Sequence, residues 1–335
     1  MNPTIVYDDY WRFAAERQAM YLRRLEGKRG PWTDDPILRT YRFTNAYRAS
    51  DRVSQFLIRR VQYAADRSRS PQELFFRTLL FKLFNKVETW EHLEIQLGPV
   101  SWQSFDFDAA DRVLNDAIGR GKRIYSAAYI MPSPALGGER KHTNHLRLLK
   151  MMMEDGLPAK VEKAGSLSGI FDLLIPYPGL GKFLAFQYCI DLNYAPFLSL
   201  EESEFVVAGP GALDGIAKCF EDADDYAPED IIHAMVDRQE AEFKRLGLDF
   251  PGLFGRRLQP IDCQNLFCEI SKYARVAHPD VTGISGRVRI KQTYKLSSRA
   301  LQQPFYPTRW NLAVPAYTPI APSSIQPGLF DAVAA

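Results

Sequence analysis

The chain has only four cysteines in 335 residues, Cys189, Cys219, Cys263 and Cys268, with no CxxC pair and no histidine at zinc spacing. That pattern excludes a disulfide framework or a structural zinc site as the organising principle. Three of the four sit in apolar helical runs, where a reduced buried thiol is the ordinary state. Long apolar runs are missing too. No stretch reaches the length of a membrane span, and residues 1–25 alternate charge with aromatics, unlike a signal peptide. A soluble, cytoplasmic protein is expected, with no membrane partner. Excess charge of one sign is also absent, since 42 basic residues face 40 acidic ones for a net +2. That balance neither demands nor excludes nucleic acid, because a phosphate-binding face needs only a local excess. Nowhere does a glycine-rich run end in the Gly-Lys-Ser/Thr of a P-loop, so ATP-dependent phosphoryl transfer by this chain lacks its usual machinery. No cofactor, metal or internal repeat is expected.

Local excesses do exist. Residues 11–60 carry twelve cations, from Arg12 through Arg60, and a second basic stretch runs Arg287, Arg289, Lys291, Lys295, Arg299. Acid concentrates elsewhere, at Glu201–Glu204 and Glu221–Asp225. Solvated helical faces and a DNA-facing surface both fit these clusters.

The hydrophobic periodicity is helical nearly throughout. Tyr10–Leu25 reads as an amphipathic helix, broken at Gly27–Pro31, with a capped restart at Thr33-Asp-Asp-Pro36. Val53, Phe56, Leu57 and Val61 recur at helical spacing. Ser70-Pro-Gln-Glu73 has capping-box form and opens a helix over 74–84 that is apolar nearly all round and therefore buried. Further helices are expected over 107–118, 142–153, 231–246 and 262–277. Residues 124–130 fit a strand or a helix, and only Val288–Tyr294 alternates convincingly as a strand. The fold class is mainly α, with few short strands. A helical domain over 1–300 is followed by a Pro-rich tail over 301–335, read as extended or disordered.

The most informative segment is Ile175-Pro-Tyr-Pro-Gly-Leu-Gly-Lys-Phe-Leu-Ala185. A short helix from Ser166 leads into a turn holding Gly179 and Gly181, and a second helix starts at Lys182. The whole hairpin covers 166–192. Glycines permit positive φ and close approach of a phosphate, and the exposed N–H groups of the second helix then face that phosphate. This segment resembles the hairpin of helix-hairpin-helix DNA-binding proteins, with the Pro-Gly-hydrophobic-Gly core intact. The resemblance implies phosphate contacts from Gly179, Gly181 and Lys182, which fix register on DNA without reading sequence. Ala208-Gly-Pro-Gly-Ala-Leu-Asp-Gly-Ile216 resembles another glycine-rich helix start, and it adds Gly209 and Gly211 as candidates.

In helix-hairpin-helix glycosylases a carboxylate downstream of the hairpin stabilises an oxocarbenium-like sugar. The corresponding region here holds Glu201, Glu202 and Glu204, where that family usually has Asp. Glu204, directly before apolar Phe205-Val-Val207, is the first candidate and Asp191 the second. A solvated acid near a helix end explains each equally well.

Several clusters together point to a named family: Pro31-Trp-Thr33, Arg42-Phe-Thr-Asn-Ala-Tyr-Arg48 with Asp51-Arg52, Phe81-Lys-Leu-Phe-Asn-Lys86, Pro178–Gly181, Gln187, Asp191-Leu-Asn-Tyr194, Gly209–Ala212 and Cys268-Glu-Ile-Ser-Lys-Tyr273. The set resembles the helical domain associated with 5-hydroxymethyluracil DNA kinases, related to the α-glutamyl/putrescinyl-thymine pyrophosphorylases, over about residues 5 to 295. The resemblance implies a two-lobed, glycosylase-like helical fold and a role in phage systems that make or act on hypermodified pyrimidines. On this view Asn45, Arg48, Asn85 and Lys86 read a pyrimidine edge or anionic substituent, and Phe43, Tyr47 and Trp90 stack an extruded base. The aromatics serve a packed core equally well, and Arg48 with Asp51 a structural ion pair.

The chain ends Ile325-Gln-Pro-Gly-Leu-Phe330-Asp. Gln326, Leu329 and Phe330 resemble the short peptide by which bacterial replication and repair proteins dock on the sliding clamp. The leading expectation from sequence is a DNA glycosylase-like enzyme acting on a flipped-out modified pyrimidine in duplex DNA, in phage hypermodification or defence against phage. For lyase chemistry, Lys182 is the positional candidate. Two alternatives stand beside it: a transferase installing a substituent at the thymine methyl position, and a non-catalytic DNA-recognition subunit of a base kinase system.

Overall fold

A computed structural model describes residues 1–128, 131–295 and 301–317. Thirteen α-helices occur among them: α1 (Ile5–Leu25), α2 (Pro36–Thr40), α3 (Arg52–Phe56), α4 (Pro71–Phe84), α5 (Val87–Leu97), α6 (Phe107–Gly119), α7 (Lys141–Glu154), α8 (Leu157–Glu162), α9 (Leu167–Leu174), α10 (Lys182–Asn193), α11 (Pro210–Cys219), α12 (Pro228–Arg245) and α13 (Pro260–Ala277). No β-strand forms among the described residues, and backbone pairing outside helices is confined to isolated bridges. The mainly α expectation holds. Val288–Tyr294 is not a strand. It pairs through one antiparallel bridge, Tyr41 to Thr293, because nothing further along the segment offers a ladder. Residues 124–128 are irregular, and Tyr129 and Ile130 lie outside the described residues.

The chain divides into two compact units. Among the described residues the first comprises 1–51, 206–295, 301–304 and 312–317, and the second 52–128, 131–205 and 305–311. In the first unit α13 is central, buried from Pro260 to Gln264 and again along Leu266, Phe267, Ile270 and Ala274. A reciprocal cap fixes its start: Gln259 accepts from the Asp262 N–H, and Asp262 accepts from the Gln259 N–H. A chain of aromatic rings packs against α13. Tyr10 packs on Trp11 (4.9 Å) and Phe267 (4.8 Å), Trp11 on Phe243 (5.2 Å), and Phe243 stacks on Phe250 (4.1 Å). Each such side chain stabilises by about 2–3 kcal/mol on leaving water.

Helix α11 approaches α13 unusually closely. A Cβ on Gly215 would lie 2.6 Å from the Phe267 carbonyl carbon, and one on Gly211 would lie 3.0 Å from Cys268 Sγ. Two glycines four residues apart thus clear one helix face for backbone contact.

In the second unit α4 is the buried axis. Every residue from Glu73 to Phe84 is buried. Ser70 accepts from the Glu73 N–H and Pro71 occupies the first turn, as the capping pattern predicts. Burying two charges on this helix is offset by pairing: Arg77 meets Glu73 at 3.3 Å and donates to the Val61 and Ser68 carbonyls. The far oxygen of Glu73 accepts from Ser101 Oγ (2.7 Å), so no lone pair of that carboxylate is stranded. Helix α3 runs into a π-helical turn, Leu57–Gln62, which carries Gln62 inward to donate to the Asp191 carbonyl (2.7 Å).

The Pro-rich segment does not run free over 305–311. Phe305 packs edge-on to Tyr63 (5.2 Å), Trp310 edge-on to Tyr194 (5.7 Å), and Gln55 holds the Phe305 backbone at both N–H and C=O. With buried Tyr306 stacked on Trp310 (6.1 Å), three aromatic anchors outweigh the lack of periodicity there.

All four cysteines are free, three of them buried, as the spacing implied. Burial pushes the Cys263 and Cys268 thiols up to about 12. No described helix is long and apolar enough to cross a membrane. Among the described residues no group of three or more His, Cys, Asp or Glu is arranged to hold a metal ion.

Candidate functional site

The hairpin forms as two helices around a glycine turn. Ser166 caps α9 by accepting from the Gly169 N–H (3.0 Å). The chain then turns through Tyr177 and Leu180, whose N–H groups bond Leu174 and Tyr177 carbonyls. Gly179 sits at φ +82°, a left-handed conformation costly for other residues, and faces Pro134. Leu180 is buried and pins the turn, and Ala185 is fully buried behind it. Gly181 is the N-cap of α10 and supplies no side-chain cap, so the first-turn N–H groups stay available. A Cβ at Gly181 would meet nothing within 4 Å, and Lys182 beside it is exposed. An open, uncapped helix N-terminus flanked by a cation is the arrangement that accepts a phosphate.

Gly209 and Gly211 are placed differently. Gly209 is the buried N-cap of α11, and Gly211 turns towards Cys268 on α13. The demand at Gly211 is helix packing.

Of the two candidate carboxylates, Glu204 is exposed, and the neighbouring Phe205 points inward against Phe171 and Phe186. Its position before an apolar run does not desolvate it. Asp191 has no exposed surface; its Oδ2 lies 3.1 Å from Lys82 Nζ, and Lys82 also donates to Asn85 Oδ1 (2.7 Å). Asn85 is the left-handed C-cap of α4 at φ 49°, which explains an amide residue at that position. Lys86 donates to the Arg123 carbonyl, and Trp90 is buried edge-on to Phe81.

The other half of the expected base pocket lies in the first unit. Arg17 bonds the Thr44 carbonyl and Asn45 Oδ1, both at 2.9 Å. Asn45 donates from its backbone to Asp51 Oδ1 and from its amide to the Ser50 carbonyl. Glu269 accepts from the Thr44 N–H (3.1 Å) and pairs with Lys272 (2.6 Å). Tyr47 is core: its hydroxyl donates to the Arg256 carbonyl and its ring lies parallel to Phe250. Arg48 is 3 % exposed, with its N–H bonded to Asp262. Phe43 packs edge-on to Phe13 (5.3 Å). The seven pocket candidates thus divide four and three between the units. Neither unit gathers the full set.

In the sequence Asp51 reads only as a partner of Arg48. In the structure, burial pushes its carboxyl up to about 6, against the Asn45 N–H bond and the nearby Arg17 and Arg48 charges, with Glu269 adding to the rise. A carboxyl poised near neutrality is suited to proton transfer. The motif from Thr44 to Asp51 is visible in the sequence, but the charges that act on it, Arg17 and Glu269, come from α1 and α13. Gln326, Leu329 and Phe330 lie outside the described residues.

With these elements in place, a protein-family comparison is decisive. The family model for the helical domain of 5-hmdU DNA kinase matches residues 4–283. The chain belongs to this family. A curated relative, the 5-hmdU DNA kinase of Bacillus phage SP10, is 28% identical over 290 residues, covering 80% of this chain and 45% of the relative. The chain therefore spans less than half the relative's length. No solved structure matches. The family match embraces the hairpin, the Lys82–Asp191 pair and the Asn45–Asp51 motif together.

Proposed function

We propose that this chain is the DNA-binding helical part of a system that transfers a group to the hydroxymethyl of 5-hydroxymethyluracil in duplex DNA. The observation that carries this reading is the family match across 4–283, joined to a relative whose name gives both base and reaction. The hairpin of α9 and α10 supplies the phosphate contact that sets register, and base extrusion would then expose the hydroxymethyl. The cluster around Arg17, Asn45 and Asp51 supplies hydrogen-bonding groups and a carboxyl near neutrality. Phosphoryl transfer also needs a nucleotide site, and no P-loop occurs in these 335 residues. Recognition of the base is the task assigned to this chain.

Base excision is the weaker reading. Glu204 is solvated, and Asp191 is fully buried against a lysine, so neither carboxylate stands open to a sugar. The test is incubation of the protein with duplexes containing thymine, 5-hydroxymethyluracil or 5-hydroxymethylcytosine, with binding and mass spectrometry read in parallel. Preferential binding of the 5-hydroxymethyluracil duplex with the base left in place supports the proposal. Release of a free base with an abasic site would replace it with the glycosylase reading. Equal affinity for all three duplexes would remove it.

A further inference from the structure

Residues 284–295 hold four cations, Arg287, Arg289, Lys291 and Lys295, and no acid. They begin where the family match ends, at residue 283, so nothing in the family assignment accounts for them. The segment is tied down at both ends within the first unit. At its start, Ser285 N–H donates to Asp214 Oδ1 (2.6 Å), and Gly283 lies so close that a Cβ there would be 2.8 Å from the Asp214 carboxyl carbon. Asp214 is itself fixed: it is 1% exposed, accepts from Ser271 Oγ and pairs with Lys218 at 3.6 Å. At its end the segment lies antiparallel to 40–42, with Arg42 N–H to Gln292 O (3.0 Å) and Tyr294 N–H to Thr40 O (2.9 Å).

Between these ties, every residue from Gly286 to Lys295 except Ile290 is exposed. One further bond, Arg275 Nη1 to the Arg289 carbonyl (3.3 Å), holds the middle by its backbone and leaves the Arg289 side chain outside. The segment brought alongside is also basic, with exposed Arg39 and Arg42. Arg287, Arg289 and Lys291 occupy alternate positions. In extended chain such residues share a side at about 6.6 Å intervals. Nucleic acid carries one phosphate per ~3.4 Å of axial rise on each strand, so a row of cations at this spacing meets separate phosphates rather than crowding on one. Val288 is 71% exposed and Ile284 69%, apolar surface that a solvated charge run would not need.

We infer that 284–295, backed by Arg39 and Arg42, is a second DNA-backbone contact, an anchored basic arm distinct from the hairpin. The inference rests on the proposed DNA substrate. The arm engages duplex phosphates without reading bases, so it raises affinity uniformly. Its strength is salt-dependent, because each neutralised phosphate releases condensed counterions.

The test compares the protein with a variant carrying Arg287→Ala, Arg289→Ala and Lys291→Ala, titrated with a 5-hydroxymethyluracil duplex and a thymine duplex over a series of salt concentrations. Among the described residues these exposed side chains make no hydrogen bond or ion pair, so the melting temperature stays unchanged. The slope of log K against log salt falls by about 2–3, at about 0.9 per lost phosphate contact, with the ratio between the two duplexes preserved. An unaltered slope in a protein that binds DNA overturns the arm and spares the proposed function. No duplex binding by the unaltered protein overturns both. Loss of binding to polyglutamate, with duplex affinity intact, would reassign the arm to an acidic protein partner and overturn the inference.

Discussion

Lys82 Nζ and Asp191 Oδ2 lie 3.1 Å apart on α4 and α10, with side chains 3% and 0% exposed. A pair so enclosed is held by its own geometry, since removing one partner strands a charge out of water. Lys82→Met and Asp191→Asn are each expected to destabilise the protein by about 3–5 kcal/mol. The double replacement Lys82→Met with Asp191→Leu costs clearly less than the sum, because no charge is left behind. Denaturant melts of the three variants measure this. If Asp191→Asn melts like the parent yet abolishes turnover on modified DNA, Asp191 is a catalytic group and the structural account fails.

How far the sequence revealed this pair is instructive. The helix carrying Lys82 was legible because Ser70-Pro71 and Glu73 form a cap and an unbroken apolar run follows. The helix carrying Asp191 was legible because Gly179 and Gly181 mark its start. That one lysine would face one aspartate was not legible, since the pairing depends on how two helices cross. The same limit explains Tyr47 and Trp90: their aromatic character suited base stacking and core packing equally, and tertiary contacts chose the core. Phe305, Tyr306 and Trp310 were obscured by the surrounding prolines, although three large aromatics so closely spaced are themselves a packing signal.

Asp51 makes stability depend on pH. Its folded pKa of about 6 lies above the ordinary aspartate value of about 3.9. The folded protein therefore binds more protons than the unfolded chain between those values. The cost of holding Asp51 charged is fully present above pH ~6 and disappears as pH falls towards ~4. Asp51→Asn keeps an acceptor for the Asn45 N–H and removes the charge. It is expected to stabilise the protein by about 1–3 kcal/mol at pH 7.5 relative to its effect at pH 4.5. Urea denaturation of both proteins at the two pH values checks the sign, and an equal difference at both would refute the raised pKa.

Gly209 and Gly211 read in the sequence as a glycine-rich helix start, with Gly215 one turn beyond Gly211. The neighbours of Gly211 and Gly215 assign both to the α11–α13 contact. Gly215→Ala drives a Cβ into the Phe267 carbonyl, rigid backbone on both sides, so a loss of about 3 kcal/mol or more is expected. Gly211→Ala presses at 3.0 Å on the Cys268 thiol, a side-chain end rather than backbone, and costs about 1 kcal/mol. Thermal melts that rank the two in the opposite order would show that α11 shifts to absorb the larger clash.

The hairpin offers a separation of binding from folding that neither cluster allows. Gly179 holds a positive φ against Pro134, so Gly179→Ala strains the turn and lowers stability by about 1 kcal/mol. Gly181 has a negative φ and open space where its Cβ would go, so Gly181→Ala leaves the melting temperature nearly unchanged. Yet the new methyl stands beside the uncapped N–H groups of α10, where a phosphate would sit. On the phosphate-binding reading, Gly181→Ala weakens duplex binding about tenfold or more, a loss of roughly 1.4 kcal/mol. Lys182→Gln lowers the salt slope by about 0.9 without touching base preference. Fluorescence anisotropy on one duplex at several salt concentrations reads both effects. Wild-type affinity in Gly181→Ala would mean that the turn serves only to pack α9 against α10.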